Sequence, residues 1–451
     1  MRATYLFQLV NLLASAALLV MVLAALDDAG YLQWVLFTTI AGLLIQAEGS
    51  LSAIATRFIS RERAAGGDAR LVAALRTVGR LYRRLASFAA VAMFVAGGLY
   101  LASADNGRFM DRWPLEWAIF CAAYLIYYFV ANYACTLIAM ERLQSYAWIG
   151  ITSRVLNVVL TGLLLLAGWK VLGLSVSMLA SFLVGAVLYR TIARRAVPRE
   201  EPAGELPPES ATPFAFHHVG LHALYVLAAY GAYRFGLLLD ASVHSNTAAQ
   251  ASYGLALQMF ALIVMLASVP LTMRIAPLVR AVELGDDTAI RDEVAHLGAY
   301  VNVVYVAIAG AFVLGSGIIS AVLPSRGAVL PPMAELAALA GAFWIEVNIL
   351  VFVNALLAAR DFRFCAVYYA SLGLAWALGT ALWLADVPFF IAFVLAPMAV
   401  QLAVAAQLIF RLTGKRFGFG FVAYTRQVAG RIDHLARNPL TALLGSKAGA
   451  G

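Results

Sequence analysis

Four charged residues stand out deep within long apolar stretches of this 451-residue chain: Glu48, Arg154, Arg234 and Glu346. If those stretches cross a membrane, each charge is costly, since Arg or Asp at the bilayer centre costs about 2.5–3.5 kcal/mol on insertion scales. A guanidinium is planar and permanently charged, so it can hold a phosphate or carboxylate through two hydrogen bonds. A buried carboxylate can instead bind and release a proton or an ion. These residue types therefore predict recognition of an anion and coupling to an ion.

The elements that must position these residues are membrane spans. Hydrophobic residues make up 63% of the chain and charged residues 12%, and the mean hydropathy is +0.85. A soluble domain is about half apolar and about a quarter charged. Twelve segments reach the roughly 20 apolar residues that a spanning helix needs: 4–26, 31–54, 85–104, 114–139, 146–167, 171–193, 215–240, 252–273, 298–324, 331–357, 364–384 and 388–410. We therefore predict an all-α polytopic membrane protein with 12 transmembrane helices.

Lysine and arginine are distributed unequally between the two sides of these spans. If the N-terminus is cytoplasmic, 26 of the 32 lie on the cytoplasmic side and 4 on the outer side, while Arg154 and Arg234 lie within spans. Cytoplasmic loops of membrane proteins carry such an excess. We therefore expect both termini in the cytoplasm. The calculated pI of 9.4 reflects this topology, and we expect no binding to nucleic acid.

The chain divides into two related halves. A linker rich in Pro and Glu follows the sixth span. One constant shift in residue number, which carries Asp68 to Asp287 and is called the repeat shift below, places each span of the first half on a span of the second. Six spans return the chain to the same side, so the halves are parallel repeats, and transporters built in this way bind substrate between the repeats. We expect a central cavity between two lobes, with this division of the chain: N-lobe 1–193, cytoplasmic linker 194–214, C-lobe 215–411 and cytoplasmic tail 412–451.

The first span carries a polar stripe that predicts the lining of this cavity. Its residues recur at spacings of 4, 3 and 4 and so share one helical face: Thr4, Gln8, Asn11 and Ser15. The repeat shift carries Asn11 to Tyr230 and Ser15 to Arg234. We therefore expect the equivalent faces of the first and seventh spans to oppose each other, with Arg234 binding an anionic group. In the alternative interpretation, Arg234 turns toward lipid or pairs with Asp240.

The other buried charges leave alternatives open. Arg154 either helps to capture the anion or pairs with Glu48, which lies at a similar depth. A paired Glu48 stabilises the N-lobe, whereas an unpaired Glu48 exchanges a proton or ion during transport. Glu346 either has a coupling or cavity role or is a protonated residue bonded to a neighbouring helix. Asp240, on the seventh span, is a further candidate for ion coupling.

The remaining residues of chemical interest predict no cofactor and no metal site. The cysteines lie in apolar stretches without metal-ligand spacing: Cys121, Cys135 and Cys365. His218 and His222 are one turn apart, but no third ligand follows, and we expect them to line the cytoplasmic mouth. The aromatic run from Tyr124 to Tyr133 could stack on sugars, but such runs are more typical of packing and interface anchoring.

The second span and the loop after it carry a set of short motifs. Gly30-Tyr31 opens the span, and Glu48-Gly49 is an acidic residue followed by glycine near its end. An arginine before an aromatic residue follows in Thr56-Arg57-Phe58-Ile59, and the loop contains Gly67-Asp68. The segment 27–82 that contains them resembles the N-terminal signature of the O-antigen and exopolysaccharide flippases. These flippases belong to the multidrug/oligosaccharidyl-lipid/polysaccharide exporter superfamily. The resemblance extends in outline over the whole chain, whereas the lipid II flippases of that superfamily carry two more helices.

The resemblance implies an inner-membrane transporter with alternating access and coupling to H⁺ or another ion. Its substrate would be undecaprenyl-diphosphate-linked oligosaccharide, flipped from the cytoplasmic to the periplasmic leaflet, and its other partners would be membrane lipids and polysaccharide assembly proteins. Arg234 would then hold the lipid diphosphate or an acidic sugar.

The main alternative is a multidrug or toxin exporter of the same fold that exchanges a cation for H⁺ or Na⁺. Such an exporter favours a net negative cavity, whereas the deep charges of this chain are two arginines and two glutamates. An enzyme is not expected, because every outer loop is too short to form a catalytic domain.

Overall fold

Long apolar segments become helices in a membrane because lipid offers the backbone no hydrogen-bond partner. The structure, a computed structural model, describes residues 2–64, 68–105, 109, 112–197, 225, 230–244, 246–268, 271, 278, 281–282, 284–322, 330–359, 361–418 and 420–437. Every regular element within these ranges is a helix.

We number the helices in chain order: α1 (Arg2–Ala25), α2 (Asp28–Ala64), α3 (Asp68–Val91, Ala92–Gly97 and Gly98–Asp105), α4 (Trp113–Ala139), α5 (Leu143–Leu166), α6 (Lys170–Ala196), α7 (Phe235–Val243), α8 (Thr247–Ala267), α9 (Asp287–Val322), α10 (Met333–Ala358), α11 (Arg363–Leu384), α12 (Ile391–Leu395, Ala396–Val400, Gln401–Ala406 and Gln407–Phe417) and α13 (Phe421–Arg437). The middle segment of α3 and two segments of α12 are π-helical. In α12 these two segments flank Pro397, which has no backbone N–H to donate.

In the described part of the chain, ten helices are long and apolar enough to cross a membrane, namely α2 to α6 and α8 to α12. Of the two other predicted spans, the first corresponds to α1, where Leu9–Ala25 forms a shorter apolar helix. The seventh falls largely on residues outside the described ranges. The prediction of an all-α polytopic membrane protein is therefore confirmed, and the predicted number of spans is roughly consistent with the structure.

The chain forms two compact units. Unit 1 consists of Met1–Gly231 and Leu237–Gly254, and unit 2 of Ala232–Gly236 and Leu255–Gly451. Within unit 1, α4 packs against α2 and α6, and α5 packs against α1 and α6. Within unit 2, α9 packs against α10 and α13, and α11 packs against α12. The predicted lobe boundaries and the central cavity stay predictions, and most of the predicted linker lies outside the described ranges.

The repeat shift also relates the helix boundaries of the two units. Helix α3 begins at Asp68 and α9 at Asp287, while α4 ends at Ala139 and α10 at Ala358. Both pairs of boundaries are separated by the same distance along the chain. The shift therefore relates single residues of one unit to single residues of the other, and we use it below to compare the two.

Several helices continue beyond the spans that the sequence predicted. Helix α2 extends to Ala64, and α3 and α9 begin at Asp68 and Asp287, where we predicted connecting loops. These extensions are amphipathic: in α3, Leu71 and Val78 are buried while the arginines of the same turns are exposed. A window of continuous apolar residues finds only the part of a helix that lipid surrounds, so it underestimates such helices.

The predicted tail also contains an element that the sequence analysis missed. Helix α13 packs against α9, with Tyr424 and Val428 buried and the Tyr424 ring 5.1 Å from that of Phe352. A β-carbon added at Gly298 of α9 would collide with the Tyr424 hydroxyl. Since α13 has one apolar and one charged face, it has no apolar window long enough to mark it as a span.

The close approach of α11 and α12 depends on Gly379. A β-carbon there would lie 2.6 Å from the carbonyl oxygen of Ala392, a backbone atom that cannot rotate away, whereas Gly373 of the same helix has open space around it. We expect Gly379→Ala to cost about 1–3 kcal/mol through overpacking and to lower the thermal melting temperature in detergent. The control Gly373→Ala should leave it unchanged or raise it, because alanine favours a helix by about 1 kcal/mol over glycine. Equal melting temperatures for the two variants would contradict this account.

Candidate functional site

Glu48 of α2 is held by two tyrosines of unit 1. It is buried, with 3% of its surface exposed. The Tyr82 hydroxyl on α3 donates to Oε1 at 2.9 Å, and the Tyr127 hydroxyl on α4 donates to Oε2 at 2.8 Å. Among the described residues, no lysine or arginine forms an ion pair with this carboxylate. The structure therefore places Glu48 between three helices, with each oxygen bonded to a phenol.

A row of polar groups continues from Glu48 toward the C-terminal end of α2. The Tyr82 hydroxyl also lies 3.1 Å from Cys135 Sγ, which lies 3.0 Å from the hydroxyl of Ser52. Ser52 is one helical turn beyond Glu48. Each of these groups carries an exchangeable hydrogen, so the row is chemically able to pass a proton to or from the carboxylate.

Arg154 of α5 has only one hydrogen-bond partner among the described residues. Its Nη2 donates to the hydroxyl of Ser15 on α1 at 3.0 Å, while its Nε is buried without a partner in the same part of the chain. The alternative in which Arg154 pairs with Glu48 is not realised. A buried donor without a partner costs about 1–3 kcal/mol, so a ligand oxygen that accepts from Nε would gain that stabilisation.

The other polar residues predicted around the first span have mixed outcomes. Asn11 is half-buried on α1, one turn before Ser15, and the side chain of Gln8 lies outside the described residues. The hydroxyl of Tyr230 donates to the carbonyl of Thr38 at 3.5 Å, and it occupies the space that a β-carbon on Gly42 would fill. Tyr230 therefore contacts α2 within unit 1. A role for these residues in binding stays a prediction.

Unit 2 contains the other two deep charges, and it brings them together. Arg234 is 8% exposed, so it is buried in protein, and it interacts electrostatically with Glu346 of α10. The Oε2 atom of Glu346 is buried without a hydrogen-bond partner among the described residues. Beside Arg234, the Tyr233 hydroxyl donates to Oε1 of Gln401 at 2.7 Å, which fixes the turn that precedes α7. The positive charge of Arg234 thus acts on Glu346, a relation that we did not predict from the sequence.

Asp240 lies near the end of α7 in a polar cluster of its own. It bonds His244 Nδ1 at 2.6 Å and accepts from Gln250 Nε2 at 2.9 Å. Its carboxylate is therefore engaged locally by neighbours along the chain. These bonds connect α7 to the start of α8 through Asp240. The predicted role of Asp240 in ion coupling has no further support from the structure.

The repeat shift relates each deep charge of unit 2 to a neutral residue of unit 1 that contacts a deep charge. Under the repeat shift, Arg234 corresponds to Ser15, which accepts a hydrogen bond from Arg154. Glu346 corresponds to Tyr127, which donates to Glu48. Glu48 and Arg234 are buried, while Arg154 and Glu346 are half-buried.

The residues that the sequence analysis undervalued are tyrosines. We read the run from Tyr124 to Tyr133 as packing, but the Tyr127 hydroxyl bonds Glu48. One signal was available, because the repeat shift pairs Tyr127 with Glu346, another polar group in an apolar span. Tyr82 gave no such signal, since it lies in a segment that we predicted to be a loop.

The structure gives no sign of a metal site in the described ranges, where no three His, Cys, Asp or Glu side chains group together. The pair His218 and His222 lies outside those ranges. The three cysteines are free and buried.

The sequence by itself matches no protein-family model and no curated protein. Solved structures do share its fold. An inward-facing conformation of a multidrug resistance MATE family transporter of the MOP superfamily is 13% identical, with 92% of this chain and 96% of that chain covered and a TM-score of 0.67. A mutant of the Vibrio cholerae MATE transporter VcmN is 18% identical, with 92% and 97% covered and a TM-score of 0.61.

A third similar structure is a MOP superfamily transporter from Pyrococcus furiosus. It is 12% identical, with 91% of this chain and 93% of that chain covered and a TM-score of 0.60, and it is described by a binding pocket of reverse polarity that suggests a different function. These similarities establish that the chain has the fold of the MATE transporters. The ten apolar helices of the described ranges make it a multi-pass membrane protein. At such identities they do not fix the substrate.

Proposed function

We propose that this chain is an inner-membrane transporter for an anionic lipid-linked substrate. The substrate is an undecaprenyl-diphosphate-linked oligosaccharide, which the transporter flips from the cytoplasmic to the periplasmic leaflet by alternating access. Both termini of the chain are cytoplasmic in this proposal. No cofactor and no covalent chemistry are required.

The observation that carries the proposal is the environment of Arg154. Its guanidinium has a neutral partner in Ser15, no carboxylate partner among the described residues, and a buried Nε without a hydrogen bond. A buried arginine kept for structure usually has a carboxylate or several carbonyl acceptors, because its desolvation is costly. An arginine with spare donors suits a ligand that brings its own negative charge.

A diphosphate matches this chemistry better than other ligands do. Its oxygens can accept two parallel hydrogen bonds from one guanidinium, and each charge-assisted bond contributes about 1.5–3 kcal/mol. Arg234 is the second candidate. It is buried, but the negative charge of Glu346 acts on it and partly offsets its attraction for an anion. In this proposal each of the two arginines is a binding group for the diphosphate, Arg154 in unit 1 and Arg234 in unit 2, and Ser15, Asn11, Gln8 and Tyr230 contribute polar contacts within unit 1.

Two further features support a flippase. The transporter fold provides alternating access in its known members, and the segment 27–82 resembles the N-terminal signature of polysaccharide flippases. The excess of Lys and Arg on one side of the predicted spans fits cytoplasmic termini.

Glu48 is the group best suited to couple transport to an ion. Its carboxylate lies on the spanning helix α2, and the partners that the structure describes for it are the hydroxyls of Tyr82 and Tyr127. Without a cationic residue paired to it among the described residues, the carboxylate can be neutralised by an incoming proton or ion, and the row through Cys135 and Ser52 offers a proton route. Glu346 is the corresponding candidate in unit 2.

The second candidate function is a cation-coupled multidrug or toxin exporter. The observation in its favour is the similarity to two solved MATE transporters. One of these two is described as a multidrug resistance transporter. The carboxylates of Glu48 and Glu346 are suited to a cationic substrate. Arg154, which has spare donors, is not.

Reconstituted vesicles can discriminate between the two functions. A fluorescent disaccharide linked through diphosphate to a polyprenol is placed in the outer leaflet. A membrane-impermeant glycosidase is then added, and the fraction of the disaccharide that is protected from cleavage is followed over time. We expect protection to develop faster with the purified chain than in protein-free vesicles. The same lipid with a neutral linkage should not be moved.

The matched arm of this experiment replaces the lipid by ethidium and imposes a proton gradient across the vesicles. We expect no saturable movement of the dye. Transport of the dye, with no movement of the diphosphate lipid, would contradict the flippase and support the exporter.

A further inference from the structure

We propose that an exposed stripe of arginines on α3 binds the anionic headgroups of membrane phospholipids. This inference does not depend on which substrate the protein carries. The arginine stripe consists of Arg76, Arg80, Arg83 and Arg84, all of which are exposed. Residues spaced by three and four share one helical face, so these side chains project from the same side of α3.

The opposite face of α3 packs into unit 1. Leu71, Val78 and Tyr82 are buried in a cluster with Ile59 and Cys135. This packing fixes the rotation of the helix about its axis. Because the apolar residues of α3 face the rest of unit 1, the arginine stripe points away from it.

The same exposed face of α3 changes from charged to apolar directly after Arg84. Phe88 and Val91 are each 64% exposed, and Val95 and Leu99 are 55% and 69% exposed. Large apolar side chains with this exposure on a spanning helix face lipid tails. The edge of the hydrocarbon region therefore lies between Arg84 and Phe88, which places the guanidinium groups at the depth of the phospholipid headgroups.

The equivalent helix of unit 2 has no such stripe. The repeat shift carries Arg76 to Ala295 and Arg80 to Ala299, and both alanines are fully buried. Helix α13 packs against this part of α9, where Arg431 pairs with Asp292 at 3.2 Å. One repeat thus has two buried alanines at the positions of Arg76 and Arg80 and no charge at those of Arg83 and Arg84, where Asn302 is half-buried and Val303 is exposed.

Charge and position together identify the occupant of the arginine stripe. Several guanidinium groups at headgroup depth attract phosphate oxygens, whether these belong to a membrane phospholipid or to the substrate. The arginine stripe, however, continues into an apolar band that faces lipid. A phospholipid such as phosphatidylglycerol matches both parts, with its phosphate on the arginines and its acyl chains along Phe88 to Leu99. Each basic residue near an anionic membrane surface strengthens the attraction by about fivefold.

The test is a binding titration on the full-length protein in an uncharged detergent. Fluorescently labelled phosphatidylglycerol is the probe, and labelled phosphatidylcholine is the reference. The triple variant Arg76→Gln/Arg83→Gln/Arg84→Gln should bind phosphatidylglycerol at least about tenfold more weakly, with phosphatidylcholine binding unchanged. Because the three side chains are exposed, its melting temperature should match that of the unaltered protein.

The matched control removes the same charge from arginines that lie beside a carboxylate of this chain. Arg63 pairs with Glu141 at 3.6 Å, and both Arg363 and Arg416 act on Asp361. The triple variant Arg63→Gln/Arg363→Gln/Arg416→Gln should retain the phosphatidylglycerol affinity to within about twofold, because these three exposed arginines already lie beside carboxylates.

Three results would overturn the proposal. In the first, the stripe variant keeps its preference for phosphatidylglycerol. In the second, the control variant loses that preference equally, which would mean that the preference depends on the net charge of the protein and not on the arginine stripe. In the third, a soluble prenyl diphosphate displaces the label from the stripe at far lower concentration than unlabelled phosphatidylglycerol does, which would make the stripe a substrate site.

Discussion

Replacing Arg234 by alanine should reduce flipping of the lipid diphosphate by about 100-fold or more. Removing a charge-assisted, two-bond contact costs about 3 kcal/mol, and every 1.4 kcal/mol is a factor of ten. Arg234→Lys should restore only part of the rate, because an ammonium keeps the charge but cannot form two parallel hydrogen bonds. The measurement is the initial rate of protection in the vesicle assay, together with polymer export in cells.

The control for Arg234 must separate lost binding from lost folding. Arg234→Ala leaves Glu346 buried without the charge that acts on it, and an uncompensated buried charge destabilises a protein by about 3–5 kcal/mol. The double variant Arg234→Ala/Glu346→Gln should therefore melt at a higher temperature than the single variant and still fail to transport. Normal transport by the Ala variant would remove Arg234 from the mechanism.

Arg154→Gln should have a comparable effect on transport and the opposite effect on stability. The guanidinium of Arg154 has spare donors that we assign to the substrate, so its loss should lower the flipping rate by about 100-fold. Because no carboxylate among the described residues balances its charge, the Gln variant should melt at the same or a higher temperature. Both quantities can be measured on the same purified sample.

Ser15→Ala is the matched control for Arg154. It removes the neutral hydroxyl that accepts from Nη2 and leaves the guanidinium in place. We expect it to slow transport by less than about tenfold, in line with the loss of one hydrogen bond of about 1.5 kcal/mol. If Arg154→Gln transported normally and melted at a lower temperature, Arg154 would be a structural residue.

Much of the fold follows from local properties of the sequence. Apolar length predicts the spans because a bilayer imposes one length on every helix that crosses it. The shift between Asp68 and Asp287, or between Tyr127 and Glu346, can be read from the sequence because both repeats keep the same element lengths. The four deep charges were also identifiable, since lipid makes each of them costly.

The contacts of those charges could not be predicted in the same way. Their similar depth left open whether Glu48 pairs with Arg154, because depth does not give the direction in which a side chain points around its helix. The bond from Tyr82 to Glu48 depends on a rotation of α3 that packing of Leu71 and Val78 sets. Likewise, α13 is held by its fit to Gly298 of α9, a tertiary feature that has no signature in the sequence of either segment.

In the proposed mechanism, the guanidinium groups of Arg154 and Arg234 bind a diphosphate before any transport takes place. The most direct test is calorimetric titration of the purified protein with a soluble prenyl diphosphate, alongside the matching monophosphate and ethidium. We predict saturable binding of the diphosphate, at least about tenfold weaker in Arg154→Gln and in Arg234→Gln, with weaker binding of the monophosphate and none of the dye. Equal diphosphate affinity in all three proteins, or binding of the dye alone, would contradict the account.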